Sequence, residues 1–125
     1  MADLPSDWPW RDALRGKRAV MVGGDERAAA RDRLISYFGL ASLDWVRMQS
    51  GRLREVQALA QRVQGGTVDI VFALSRYASH NMDNILAAPC RAAGVPFIPL
   101  QHGYGVVGAR VAVERFIPLH RGLEG

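Results

Sequence analysis

Three polar clusters in this chain carry residue types that bind or transform ligands, and each follows a short apolar run. Gly23-Gly24-Asp25-Glu26-Arg27 follows Val20-Met21-Val22, and Ser75 to Asn81 follows Ile70-Val71-Phe72-Ala73-Leu74. Gln101-His102-Gly103-Tyr104 follows Phe97-Ile98-Pro99-Leu100. Paired glycines let the backbone turn tightly and approach a ligand, and the amides that open a helix beyond them favour an anion. Arg27, with Arg76 from the second cluster, would neutralise that charge, while His80 and His102 would read polar groups. The ligand-binding candidates are Gly23, Gly24, Asp25, Arg27, Arg76, Ser79, His80, Asn81, Gln101, His102 and Tyr104. No residue is assigned a catalytic role. The catalytic candidates are His80 and His102 as a proton-transfer pair, with Asp25 as orienter or metal ligand.

The elements that must position these clusters are legible in the periodicity. Residues 19–22 form an uninterrupted apolar run, as expected of a strand buried on both faces. Residues 26–38 suit a helix with Ala30, Leu34 and Phe38 inward, Asp25 as its N-cap and Gly39 as its stop. Residues 40–47 alternate, with Leu43 and Trp45 on one side and Ser42 and Asp44 on the other, which suits an edge strand. A second amphipathic helix over 52–63, with Leu53, Val56, Ala60 and Val63 inward, closes at Gly65-Gly66. A buried strand over 68–74 leads to a helix capped by Ser79 or Asn81, with Met82, Ile85 and Leu86 inward. Pro89 is expected to kink or shorten that helix. A fourth strand covers 96–100 and a last helix 106–116. Ser6-Asp7 is expected to cap a short helix near Pro9 with Trp8, Trp10 and Leu14 as its apolar side. Those tryptophans must dock on the domain itself or on a second subunit.

Repeated β-α units with connections too long for hairpins imply a parallel sheet with right-handed crossovers. The alternating second strand belongs at an edge, which gives the order 2-1-3-4. All three polar clusters then emerge at the carboxyl edge of one sheet, where open α/β folds bind ligands. Strands ~4.8 Å apart would bring His80 and His102 within several ångströms.

Several sharper signatures are absent. There is no G-K-[ST] and no G-x-S-x-G. His80, Cys90 and His102 lack the close-paired spacing of structural zinc sites, so no metal is expected. Gly23-Gly24-Asp25-Glu26 matches a cyclase signature in letters only, in a chain too short for that domain. Asp25-Glu26 resembles the acidic pair of response-regulator receivers, but Ser75 follows the third strand where a phosphoacceptor Asp would stand, and the late lysine is missing.

The 125 residues are one domain by length, 49% hydrophobic and 22% charged, with a formal net charge of +4. Lys17 is the only lysine, so the basic residues are otherwise arginine, from codon bias or for an anion-binding face. No apolar run reaches the ~20 residues of a membrane helix. A polar N-terminus without a secretion signal and the lone Cys90 place the chain in a reducing cytoplasm. The arginines lie scattered among acids, which weakens nucleic acid as a partner.

Val22-Gly23-Gly24, Gly51-Arg52, Ser79-His80, Cys90-Arg91 and Val95-Pro96-Phe97 together resemble the bacterial domain of unknown function 2325, a small Rossmann-like module. The resemblance spans about residues 17–116 and implies that Gly23, Gly24, Ser79 and His80 match family positions. The expected architecture is a Rossmann-like three-layer α/β sandwich with a four-stranded parallel sheet over residues 17–116. A Trp-containing appendage (1–16) precedes it and a tail (117–125) follows. The expected function is a non-enzymatic binding or regulatory module for a phosphorylated or anionic ligand, acting as a homodimer with no membrane partner. The alternatives are a phosphoester or acid-base enzyme using His80 and His102, and a nucleic-acid binder using arginines. The residues name no cofactor.

Overall fold

Short β-branched runs and amphipathic segments alternate along the chain, and each run becomes one strand of a single parallel sheet. The computed structural model describes residues 7–23, 27–46, 54–74, 80–100 and 105–118, with the backbone alone for 80–84. In chain order the elements are α1 (Arg11–Leu14), β1 (Arg18–Val22), α2 (Ala28–Phe38), β2 (Ser42–Val46), α3 (Arg54–Gln64) and β3 (Ile70–Leu74). They continue with α4 (His80–Ala93), β4 (Phe97–Leu100) and α5 (Val106–Phe116). The strand order is β2-β1-β3-β4, with Val20 beside Asp44 and Val71, and Phe72 beside Ile98. This is the doubly wound arrangement that the sequence implies.

Strand pleating divides the core in two. Ala19, Met21, Ile70, Phe72, Ile98 and Leu100 pack on one face with Leu34 and Phe38 of α2 and Ala109 and Val113 of α5. Val20, Val22, Val71 and Ala73 pack on the other with Val56, Leu59 and Val63 of α3 and Leu86 and Cys90 of α4. All five residues of β3 are buried, whereas β2 exposes Asp44, whose carboxylate accepts from Arg62 at 2.9 Å and ties the edge strand to α3. Gly39 ends α2 at φ 69°, a conformation that costs other residues about 1–2 kcal/mol.

Three local expectations are corrected. Helix α2 opens at Ala28 rather than residue 26, so Arg27, not Asp25, holds its N-cap position. Helix α4 runs through Pro89 to Ala93 without being shortened. Leu86 and Cys90 on either side of Pro89 are buried, and that packing offsets the backbone bond a proline removes. Helix α4 also opens at His80, which makes Asn81 its second residue rather than its cap. At the N-terminus the helix is one turn, Arg11–Leu14, with Trp10 at its N-cap position and Trp8 ahead of it. Ser6 and Leu53 lie outside the described residues, as does the side chain of Met82.

The tryptophans dock on the domain itself. Trp8 belongs to the core with Phe38 and Leu14, and its indole N–H donates to Glu114 at 2.8 Å. The Trp10 indole donates to the Ile117 carbonyl at 2.8 Å. At the amino edge of the sheet, Arg18 clasps Asp69 through Nε at 2.9 Å and Nη2 at 3.1 Å. The Arg18 backbone N–H adds a third bond to Asp69 at 2.8 Å. These bonds hold the Asp69 carboxyl below the usual carboxylate range, the side-chain bond from Arg18 contributing most.

Candidate functional site

In a parallel sheet every strand ends at the same edge, so Val22, Val46, Leu74 and Leu100 mark one rim. From β1 the chain turns into α2 on one face, and from β3 it turns into α4 on the other. The rim between β1 and β3 is therefore the topological switch point, where neighbouring connections part and leave a crevice.

On the β1 side of this crevice stands Gly23, at φ 103°. L side chains rarely adopt that conformation, which explains glycine there. Its N–H donates to the Val46 carbonyl at 3.0 Å, and its carbonyl accepts from Trp45 Nε1 at 2.8 Å. Trp45 was legible in the sequence only as an apolar residue of an edge strand. Its indole N–H reaches the rim because register sets Trp45 beside Met21, two residues before Gly23.

Helix α2 begins two residues later than an Asp25 N-cap would place it, and its N-cap residue makes no side-chain capping bond. Arg27, extended at φ −123° and exposed, occupies the N-cap position without a side-chain capping bond. The first turn contains Ala28, Ala29 and Ala30 and no acidic residue. The amides of a first turn have no acceptor within the helix, and the helix dipole gives them partial positive charge. Three alanines leave those amides approachable. Helix α5 opens at the same rim in the same way, with Gly105 at its N-cap position, no side-chain cap and no first-turn acid.

Of the residues singled out from the sequence, the structure describes Gly23 just beyond β1 and Arg27 at the N-cap position of α2. His80 and Asn81 head α4 across the switch point, with their backbone alone described. Gly24, Asp25, Arg76, Ser79, Gln101, His102 and Tyr104 lie outside the described residues. Among the described residues, no group of three or more His, Cys, Asp or Glu could hold a metal ion. Cys90 is 1% exposed, and burial pushes its thiol up to about 11, far from the range of a reactive thiolate.

A groove of about 580 Å³ lies at the opposite, amino edge of the sheet, between Lys17, Gln64, Asp69, Gly94, Pro96 and Ile117. Its walls are mostly alkyl, and its one carboxylate, Asp69, is committed to Arg18. Among the described residues, no helix is long and apolar enough to cross a membrane.

No family model matches the chain, and no curated protein sequence matches it. Its fold is similar to the solution structure of a phosphate-loop protein, with a TM-score of 0.52 and 16% identity, covering 79% of this chain and 87% of that one. A second similar structure is a mutant receiver domain of the histidine kinase CKI1 from Arabidopsis thaliana. It gives a TM-score of 0.47 and 21% identity, covering 85% of this chain and 79% of that one. At these identities the similarity bears on the fold alone.

Proposed function

We propose that this chain is a non-enzymatic binding or regulatory module that recognises a phosphorylated or otherwise anionic ligand at the carboxyl rim of its sheet. The observation that carries this reading is the bare start of α2 beside Gly23. It combines a first turn without an acidic residue, no side-chain capping bond from the N-cap residue, and an exposed guanidinium at Arg27. Helix starts in soluble domains are commonly capped by Ser, Thr, Asp or Asn, and an acid in the first turn is favourable. A start with neither leaves its charge for a ligand. Gly24, Arg76, Ser79, His80, His102 and the other rim candidates complete the site in this reading. In this reading the domain is akin to domain of unknown function 2325.

The homodimer of this reading uses the β2 edge. The bond from Val71 N–H to the Pro96 carbonyl at 3.0 Å turns alternate β4 residues toward β3, leaving Phe97 and Pro99 facing outward. Proline has no N–H to offer a further strand, so β4 is a poor pairing edge. Trp8, with its indole N–H bonded within the chain, is unsuited to hold a second subunit.

The test is calorimetric titration with pyrophosphate, a small probe of the anion chemistry, alongside light scattering for the dimer. Pyrophosphate should bind the wild type, and Arg27→Glu should weaken it at least about tenfold, a change of about 1.4 kcal/mol. Absence of binding at millimolar pyrophosphate, or an Arg27→Glu variant that binds as tightly, would overturn the reading.

A further inference from the structure

Among the described residues, the large apolar side chains that stand exposed are Val107, Val111 and Phe116, and all three lie on α5. Val107 is 67% exposed and Val111 58%, and residues one turn apart are neighbours on a helix surface. Arg115 continues that row by one more turn, its guanidinium 5.4 Å over the Phe116 ring. Gly108 lies beside the two valines. A Cβ placed there would meet nothing within 4 Å, so no close packing within the chain requires glycine at this position. Glycine and valine both form helices less readily than alanine, and an exposed valine gains little burial in return. The core side of α5 is already supplied by Ala109, Ala112 and Val113. The folded chain by itself gives no reason for the outer row.

Charge around the row is one-sided. Helices α2 and α5 cover the same face of the sheet and, with Arg27, carry five arginines against two acids. Helices α3 and α4, on the other face, carry three arginines against two acids. Arg110 pairs with Glu114 at 3.7 Å and reaches the Tyr37 hydroxyl at 3.5 Å, which sets it between α5 and α2. Among the described residues, Arg115 and Arg33, one turn ahead of Tyr37, form no ion pair.

We propose that the outer row of α5 is a docking surface for an acidic amphipathic helix of a partner protein. Apolar side chains of that helix pack on Val107 and Val111 and seat in the notch at Gly108, where the missing side chain permits close approach. Its carboxylates pair with Arg115 and Arg33, whose guanidinium groups suit bidentate contact. A second copy of this chain would set the same basic charge against itself, so the arginines favour an acidic partner. The homodimer proposed above uses β2, whereas α5 packs against β4 at the opposite edge of the sheet, so the two contacts do not compete.

The experiment titrates ¹⁵N-labelled protein with a helical peptide of about 16 residues made of alanine, leucine and glutamate, its leucines spaced i, i+4. A control peptide has lysine in place of every glutamate. The amides of Val107, Gly108 and Val111 should move with a Kd of about 10–100 μM, as befits a contact at the small end of specific interfaces, and the lysine peptide should leave them still. Val111→Gln should weaken binding about fivefold through lost apolar contact, and Arg115→Gln about threefold through lost charge. Both side chains are exposed, so the variants keep the native fold. Their affinity for pyrophosphate should be unchanged, and the docking surface stands or falls whether or not pyrophosphate binds. No movement with the glutamate peptide, equal binding of the lysine peptide, or a Val111→Gln variant that binds as tightly would overturn the proposal. Shifts confined to Ala28, Ala29 and Ala30 would place the peptide at the rim and overturn it as well. So would phosphatidylserine vesicles that move the α5 amides when the peptide does not, which would assign the row to a lipid surface.

Discussion

Replacing Trp8 tests whether the segment ahead of β1 is part of the folded core. A one-turn helix has no stability of its own, so residues 7–16 stay docked through tertiary contacts alone. Trp8 is 6% exposed, with its ring centroid 5.7 Å from Trp10 and 5.9 Å from Phe38. Truncating a buried tryptophan to alanine costs about 3–5 kcal/mol. Glu114, the partner of the indole, has a side chain 34% exposed, so water can re-enter and the lower end applies, about 3 kcal/mol. Trp8→Phe keeps most of the buried ring and loses the hydrogen bond at 2.8 Å, for about 1–1.5 kcal/mol. The two variants should therefore stand roughly two to one. At about 4 °C per kcal/mol for a chain of this size, the alanine variant melts about 12 °C below the wild type. Urea unfolding followed by far-ultraviolet circular dichroism measures this without relying on the fluorophore being removed. A loss below about 1 kcal/mol for Trp8→Ala would refute the placement of Trp8 in the core.

The other predictions concern charge and reactivity. Arg18 holds the Asp69 carboxyl below its unfolded value, so this contact stabilises the fold above about pH 4 and is lost as pH falls through the depressed folded value. Asp69→Asn should be less stable than wild type at pH 7 and converge with it at strongly acid pH; parallel stability curves at every pH would contradict the clasp. Cys90, buried and with its thiol pushed up to about 11, should resist a thiol reagent at pH 8 until the chain unfolds. Labelling at the rate of an exposed cysteine in native buffer would show that the α4 face carrying it is not packed against α3 and the sheet.

Elements governed by local periodicity were readable in advance. The apolar run at 19–22 and the alternation at 40–47 carry strand position as well as strand type, because a central strand is buried on both faces and an edge strand on one. The left-handed stop at Gly39 was readable for the same reason, since only the local backbone is involved. Boundaries were less legible where tertiary structure competes with propensity. Asp25 is the better N-cap by residue type, yet α2 opens at Ala28 behind Arg27. Pro89 reads as a kink or a shortening, yet α4 runs on through it to Ala93 with its neighbours buried against α3 and the sheet.

The candidate site divides along the same line. Sequence by itself determined the strands, their parallel order and hence the rim at which the glycine, arginine and histidine clusters emerge, because pattern and connection length are local properties. Which groups meet, at the rim and elsewhere in the fold, was decided by tertiary structure. Trp45 and Gly23 are 22 positions apart, and Trp8 and Glu114 are 106 apart. Each pair is joined by one directional hydrogen bond whose geometry depends on strand register and helix packing. No spacing in the chain encodes such a bond. It exists only once the sheet has set its partners within reach.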